Sequence, residues 1–318
     1  MKDSKFYIAG HTGMVGTAIL KNLVDKGYSN LVFTPHSDFD LTDQRTVQAF
    51  FKTERPEYVI VAAARVGGII ANNTYRAQFI YENLMIQNNI IHAAYQFGVN
   101  KLLFLGSSCI YPRDCPQPIK EEYLLNGKLE YTNEPYSVAK IAGLKMCENY
   151  YQQYKCNFIS VMPTNLYGPN DDFNLETSHV LPALVHKLHE AKIRGGSSVE
   201  VWGSGTPKRE FLYVDDCADA CVHIFEKLSA AKLYSQGISH INIGSGKDIS
   251  IADLVELIAD IVGYDYDIKY DQTKPDGTPR KLLDISRLNL LGWQSKTDLS
   301  EGIQKTYNWY KDNISITN

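Results

Sequence analysis

The chain has 318 residues, a formal net charge of −4 at pH 7 and 44% hydrophobic residues. This length favours one large domain with an appended lobe, and the composition is that of a globular protein. The negative charge argues against nucleic-acid binding, and no apolar run approaches the ~20 residues that cross a membrane. Six cysteines without C-x-x-C spacing predict a cytoplasmic protein with reduced thiols. We expect no metal ion.

Apolar runs alternate with helical patterns along the first half of the chain. Strands are predicted at 6–9, 31–34, 58–62, 101–105 and 158–162, and helices at 14–26, 46–52, 77–97 and 135–154. This alternation is typical of parallel βαβ units. We therefore predict an α/β fold with a doubly wound, parallel Rossmann sheet and helices on both faces.

The pattern changes after Gly168-Pro169. A helix is predicted at 181–192, short strands at 199–202 and 210–213, a strand at 241–243 that returns to the main sheet, and helices at 251–262 and 300–311. We assign residues 1–168, with returning segments near 213–245, to a Rossmann domain. Residues 169–318 would mainly form a smaller α/β substrate-binding lobe.

The first predicted strand ends in a glycine-rich turn. Gly10, Gly13 and Gly16 have the spacing G-x-x-G-x-x-G, and Thr12, Met14 and Val15 complete the turn. Side chains at the glycines would separate a pyrophosphate from the backbone and the helix from the strand. The N–H groups of the following helix would bind the phosphates. This position predicts a nicotinamide dinucleotide site.

The second strand runs into Thr34-Pro35-His36-Ser37 and has no carboxylate at its tip. A carboxylate there would bind a free ribose 2′-hydroxyl, so its absence favours NADP over NAD. His36 and Ser37 could donate to a 2′-phosphate. An equally strong interpretation of His36 is a solvated loop residue that binds no ligand. Asp40 and Leu41 follow and would line the adenine.

Tyr136 and Lys140 lie four residues apart on a predicted helix and therefore on one face of it. We expect the Lys140 ammonium to lower the pKa of the phenol, so that it exchanges a proton near neutral pH. The Ser107 hydroxyl, at the end of the fourth strand, would bind the same carbonyl oxygen. The neighbours predicted to border the cofactor there are Leu105, Gly106 and Ser108.

Longer runs resemble the GDP-L-fucose synthases, within the extended short-chain dehydrogenase/reductases. The specific ones are S-S-C-I-Y-P at 107–112 and K-P-D-G-T-P-R-K at 274–281. Others are V-G-G-I at 66–69, A-N-N-T at 71–74, N-E-P-Y at 133–136, M-P-T-N-L-Y-G-P at 162–169 and W-G-S-G-T-P at 202–207. The resemblance runs nearly end to end. It implies NADPH-dependent conversion of GDP-4-keto-6-deoxy-mannose to GDP-L-fucose, by epimerisation at C3 and C5 and reduction at C4.

The resemblance also implies roles for single residues. Cys109 would be the base of the epimerisation and His179 its acid, whereas each taken alone would be structural. The residues that would contact the GDP-sugar are Lys187, Trp202, Arg209 and Asp276. Those that would border the nicotinamide are Pro163, Asn165, Leu166 and His179. Thr12 and His36 depart from the family pattern, in which basic side chains face the 2′-phosphate.

Three other functions compete with this interpretation. One is a 4-reductase of a GDP-6-deoxy-4-keto-heptose in bacterial polysaccharide synthesis, with or without epimerisation. Another is a non-catalytic dinucleotide sensor, although such proteins usually lose the tyrosine or the lysine. A 4,6-dehydratase is disfavoured because Ser108 and Cys109 occupy the positions of its Asp-Glu pair.

The helices at 77–97 and 135–154 predict a homodimer built on a four-helix bundle.

Overall fold

The computed structural model describes residues 2–34, 39–195, 198–265, 267–274 and 276–314. Its strands are β1 Phe6–Ala9, β2 Leu31–Val32, β3 Tyr58–Val61, β4 Lys101–Leu105, β5 Phe158–Pro163, β6 Asn165–Tyr167, β7 Ser198–Trp202, β8 Lys208–Tyr213, β9 Ile241–Ile243, β10 Asp248–Ser250, β11 Asp267–Asp271 and β12 Arg280–Lys281. Its helices are α1 Met14–Asp25, α2 Gln44–Glu54, α3 Ile69–Thr74, α4 Arg76–Gln96, α5 Glu134–Tyr154, α6 Val180–Arg194, α7 Val214–Lys227, α8 Ala230–Tyr234, α9 Ile251–Val262, α10 Ser286–Leu290 and α11 Leu299–Asn313.

The main sheet contains, within the described residues, six parallel strands in the order β2-β1-β3-β4-β5-β9. The strand order reverses between β1 and β3. In sheets of this type a ligand binds in the crevice beyond the carboxyl ends of the strands at the reversal. The predicted doubly wound α/β fold is confirmed, including the return of the chain at Ile241–Ile243 to lie beside β5.

Both faces of the sheet are buried, as the continuous apolar strands predict. Alternate residues of a strand point to opposite faces. Phe6 and Ile8 of β1 accordingly pack with α1 and α7, whereas Tyr7 and Ala9 pack with α2, α4 and α5. This two-sided burial leaves the carboxyl ends of the strands as the edge where loops can form a site.

The lobe has its own apolar core, in which α6, α9 and α11 pack around side chains such as Leu184, Ile258 and Tyr307. A second sheet has the order β10-β8-β12, and β6 pairs with β8. Only Thr164 separates β6 from the end of β5 in the main sheet. The lobe is thus attached directly beside the carboxyl edge of the Rossmann sheet.

Several elements differ from the predictions. The second helix is longer than 46–52 because the Asp43 carboxylate caps it, accepting from the N–H groups of Arg45 and Thr46. Helices α3 and α7 were not predicted from the sequence, and the second strand ends at Val32. Helix α7 carries Asp215, Asp219, His223 and Glu226 on one face, a helical period that the predictions did not include. Among the described residues, no helix combines the length and apolar character that crossing a membrane requires.

Candidate active site

The glycine turn lies at the end of β1 and presents bare backbone. Gly10 has φ +86°, and a Cβ on it would lie 2.6 Å from the Ala63 backbone nitrogen beyond β3. A Cβ on Gly16 would collide with the Gly10 carbonyl oxygen. Gly13 precedes α1 without a side-chain cap. The N–H groups at the start of α1 are therefore open to an anion, as a pyrophosphate requires.

The residues predicted to surround the adenine side of the cofactor lie near the ends of β1 and β2. The exposed Asp40 carboxylate accepts from the N–H and the hydroxyl of Thr42, each over 2.8 Å, and so closes a turn. The Asn89 amide donates to the Leu41 carbonyl oxygen over 3.0 Å and holds that turn against α4. His36 and Ser37 lie outside the described residues.

The loop after β4 carries Ser107 and Cys109. A Cβ on Gly106 would meet the sulfur and terminal methyl of the Met162 side chain in β5, so the methionine side chain packs directly on this glycine. The Ser107 hydroxyl oxygen accepts from the Cys109 N–H over 3.4 Å, a long contact that leaves its proton available to a ligand. The Ser137 hydroxyl of α5 donates to the Cys109 carbonyl oxygen over 2.9 Å. The loop is thereby fixed to the helix that carries Tyr136.

Lys140 is 3% exposed and donates from Nζ to the Leu105 carbonyl oxygen over 2.9 Å. Its Nζ lies 5.7 Å from the centre of the Tyr136 ring. Burial lowers the pKa of Lys140 to about 8. Burial, with the nearby Cys109, raises the pKa of Tyr136. The expected lowering of the phenol pKa is therefore not found in the protein without cofactor, because desolvation of the phenolate raises this pKa.

The tyrosine and lysine share their surroundings with two further candidates. Cys109 acts electrostatically on Tyr136, on Lys140 and on Lys281. Burial lowers the pKa of His179, and the positive charge of Lys281 lowers it further. The side chain of His179 is accessible to solvent, yet many protein atoms surround it. This combination is expected for a residue that lines a cleft. The fold therefore brings Cys109 and His179 to the same cationic side chain.

Lys281 is a site residue that sequence reasoning missed. It lies in β12, opposite Arg209 of β8, and burial lowers its pKa. The signal that could have found it was its place at the end of the K-P-D-G-T-P-R-K run, where only Asp276 was chosen. A half-buried lysine beside a cysteine and an arginine is a strong candidate for binding an anion.

Trp202 is an exposed aromatic residue of the lobe, with 49% of its surface accessible. The Nζ atoms of Lys187 and Lys274 lie 5.4 and 5.5 Å from its ring centre. Lys187 also donates to the Glu200 carbonyl oxygen over 3.2 Å. This arrangement offers a flat apolar surface bordered by two positive charges, which suits a base that carries phosphates.

Arg209 and Asp276 lie close together near that surface. Burial lowers the pKa of the half-buried Arg209, and the Asp276 carboxylate partly offsets this. Asp276 accepts from the Ser204 N–H over 2.6 Å and from the Ser204 hydroxyl over 2.9 Å. Both carboxylate oxygens are thus engaged with the turn after Trp202, so Asp276 shapes the loops around Arg209.

The segment after β5 joins the cofactor side of the site to the lobe. Pro163 pairs with Ile243 of β9, and Leu166 pairs with Leu212 of β8. The Asn165 amide donates to the Glu210 carbonyl oxygen over 2.7 Å. This segment therefore lies where the main sheet and the lobe meet.

Residues 6–244 match the NAD dependent epimerase/dehydratase family. The chain belongs to this family. A GDP-L-fucose synthase 1 of Arabidopsis thaliana is 55% identical over 98% of this chain and 95% of its own length. The GDP-L-fucose synthase of Escherichia coli K12 is 53% identical over 98% of both chains. The predicted resemblance to the GDP-L-fucose synthases, within the extended short-chain dehydrogenase/reductases, is confirmed.

The family includes a solved structure with a different sugar in its name. It is a GDP-mannoheptose C4 reductase from Campylobacter jejuni with NADP bound. That structure is 40% identical to this chain, covers 98% of it and 99% of its own chain, and has a TM-score of 0.89. The family fold is thus compatible with sugars of different length.

Proposed function

We propose that the protein converts GDP-4-keto-6-deoxy-mannose to GDP-L-fucose, epimerising C3 and C5 and reducing the C4 ketone with NADPH. The observation that carries this proposal is the convergence of two pairs. Tyr136 and Lys140 form one pair, and Cys109 and His179 form the other, linked through Lys281. The identity of more than half the chain to named GDP-L-fucose synthases supports the choice of substrate.

The glycine turn fits a dinucleotide because side chains at Gly10 and Gly16 would fill the space against the neighbouring backbone. The N–H groups that open α1 would bind the pyrophosphate. Asp40 and Leu41 would lie on the adenine side. The residues that would border the nicotinamide side are Leu105, Gly106, Ser108, Pro163, Asn165 and Leu166. The C. jejuni relative with NADP bound supports NADP as the cofactor.

NADPH would supply the hydride that reduces C4. Tyr136 would give its proton to the C4 oxygen, and its raised pKa keeps that proton on the phenol at neutral pH. The Ser107 hydroxyl would donate to the same oxygen and stabilise its developing charge. Lys140, held by the Leu105 carbonyl oxygen, would provide the positive charge on the far side of the phenol.

Epimerisation needs a base and an acid on opposite faces of the sugar, because a proton leaves C3 or C5 from one face and returns from the other. Carbons beside the C4 ketone are acidic, and the Ser107 and Tyr136 hydroxyls would stabilise the enolate that forms. The Cys109 thiolate would take the proton, and His179 would give one to the other face. Each inversion leaves Cys109 as a thiol and His179 as a neutral imidazole, so both groups must exchange protons with solvent before the second inversion.

The nucleotide part of the substrate would lie against the lobe. The Trp202 ring would stack on the guanine, with Lys187 and Lys274 near its phosphates. Arg209 would bind the diphosphate, since a guanidinium matches phosphate oxygens. Lys281, opposite Arg209 in the sheet, would add a second positive charge. Asp276 would hold the loops that position these groups.

A reductase that acts on C4 of a GDP-6-deoxy-4-keto-heptose is the second candidate, favoured by the similarity to the C. jejuni heptose reductase. Incubation with NADPH in D₂O and each keto-sugar separates the two functions. The proposed function predicts deuterium at C3 and C5 and a product with the L-fuco configuration. C4 reduction without deuterium at C3 and C5, or faster turnover of the heptose, would refute it.

Tyr136→Phe separates an enzyme from a dinucleotide sensor. The variant lacks the proton donor, so we expect NADPH oxidation to fall by about 100-fold or more while NADPH binding persists. Unchanged oxidation would contradict the assigned role. The matched control is Tyr154→Phe, because Tyr154 lies at the other end of α5 and is 45% exposed.

We also propose a homodimer formed through α4 and α5. The outer surface beside these helices exposes Tyr81, Tyr131 and Val138 by 61%, 66% and 40%. A second copy of the two helices would cover this surface as a four-helix bundle. Light scattering should give about 72 kDa, twice 35.9 kDa, and the monomer mass would refute the dimer.

A cytoplasmic location is supported by the six free thiols.

A further inference from the structure

The turn formed by Gly67 and Gly68, just after β3, contacts the segment that leads to His179. The Gly68 N–H donates to the Thr177 carbonyl oxygen over 2.6 Å. Thr177 and Ser178 directly precede His179, the N-cap residue of α6. A backbone contact therefore joins the Rossmann sheet to the lobe two residues before the proposed acid.

Gly68 leaves no room for a side chain at this contact. A Cβ on it would collide with the Ser178 carbonyl oxygen and lie 3.2 Å from the Thr177 carbonyl oxygen. The backbone angles of Gly68, φ −67° and ψ −177°, are ones that alanine adopts without strain. The close approach of the two backbones, rather than a special conformation, therefore requires glycine here.

Both sides of the contact are held in place. Asn72, 3% exposed, donates from its side chain to the carbonyl oxygens of Gly67 and Gly68 over 2.5 and 3.0 Å. On the other side, the Asn174 carbonyl oxygen accepts from the Ser178 N–H over 2.9 Å. Because these hydrogen bonds set the spacing of the two backbones, we expect a side chain at position 68 to displace the segment that ends at His179.

We propose that Gly68 and Asn72 are positioning residues that set the place of His179 relative to the sugar carbons. This inference rests on the proposed epimerase function. A misplacement of about 1 Å can cost a proton transfer about 100-fold in rate. Reduction of C4 uses Ser107, Tyr136 and Lys140, which come from β4 and α5 and not from this turn. The turn should therefore affect epimerisation more than reduction.

Gly68→Ala tests the proposal, with Gly67→Ala as its matched control. A Cβ on Gly67 would meet side-chain atoms of Ala71 and Phe79 at 3.0 and 3.2 Å, but the Thr177 oxygen only at 3.8 Å. Each protein is incubated with GDP-4-keto-6-deoxy-mannose in D₂O without NADPH, and exchange at C3 and C5 is followed by NMR. We expect Gly68→Ala to slow exchange by about 10- to 100-fold with unchanged NADPH affinity. Gly67→Ala should remain close to the wild type.

Exchange at the wild-type rate in folded Gly68→Ala, or equal slowing in both variants, would overturn the proposal. If Gly68→Ala does not fold, Asn72→Ala replaces it, because that change removes both side-chain bonds to the turn. Slow exchange with intact NADPH binding is again the expected result, and wild-type exchange overturns the proposal. A wild-type protein that reduces C4 without exchange at C3 and C5 would instead refute the epimerase function, and this proposal with it.

Discussion

Replacing Lys140 with methionine should remove the activity of the protein while leaving its stability at neutral pH nearly unchanged. Lys140 is 3% exposed, and burial lowers its pKa from 10.5 to about 8. Below pH 8 the folded and the unfolded chain both carry the ammonium, and burying it opposes folding. The lowering of the pKa from 10.5 to about 8 means that burial of the ammonium opposes folding by about 3 kcal/mol.

The sign of the pH dependence follows from proton binding. Between about pH 8 and 10.5 the unfolded chain holds a proton that folded Lys140 has lost, so wild-type stability rises with pH. Methionine has no charge, so Lys140→Met lacks both this pH dependence of stability and the free-energy cost of burying the ammonium. It also takes a donor from the Leu105 carbonyl oxygen, which costs about 1–3 kcal/mol. We expect near-equal stability at pH 7, and a relative gain for the wild type of about 2 kcal/mol by pH 9.5.

Urea unfolding of both proteins between pH 7 and 9.5 measures this difference, since effects of other groups cancel between them. Lys145→Met is the control on the same helix, because Lys145 forms a surface pair with Glu148 over 2.8 Å. Such exposed pairs contribute less than about 1 kcal/mol. The reasoning would be refuted if the wild type and Lys140→Met differed in free energy of unfolding by the same amount at pH 7 and at pH 9.5. Lys140→Met should not oxidise NADPH at any pH in this range.

Three further changes test other parts of the site. Lys281→Met should raise the pKa of His179, because Lys281 lowers it in the wild type; an unchanged NMR titration of the His179 ring would contradict this. Gly16→Ala should weaken NADPH binding by about 10-fold or more, since the new methyl collides with the Gly10 carbonyl oxygen; wild-type affinity in fluorescence titration would speak against the predicted cradle. Trp202→Ala should weaken GDP binding, measured by calorimetry, by about 1–2 kcal/mol while the unfolding temperature stays constant, because the ring is 49% exposed; equal affinity would remove the stacking role.

The parallel sheet and its strands could be predicted from local pattern because each buried strand is a short apolar run between turn signals, whereas the order of the strands came from the structure. The return of Ile241–Ile243 was predicted for the same reason. Helix α7 was not predicted although Asp215, Asp219 and His223 recur every four residues, on the face opposite buried residues such as Cys217 and Cys221. Helix α3 was missed because its six residues give too short a pattern.

The sequence by itself determined the features that depend on neighbours along the chain. The glycines of the first turn and the four-residue spacing of Tyr136 and Lys140 are set by the geometry of a strand–helix turn and of a helix. The tertiary structure alone decided that Lys281 interacts electrostatically with both Cys109 and His179, and that burial raises the Tyr136 pKa. It also decided that Gly68 contacts Thr177. Burial and charge interactions depend on atoms that are distant in sequence, and only folding brings them together.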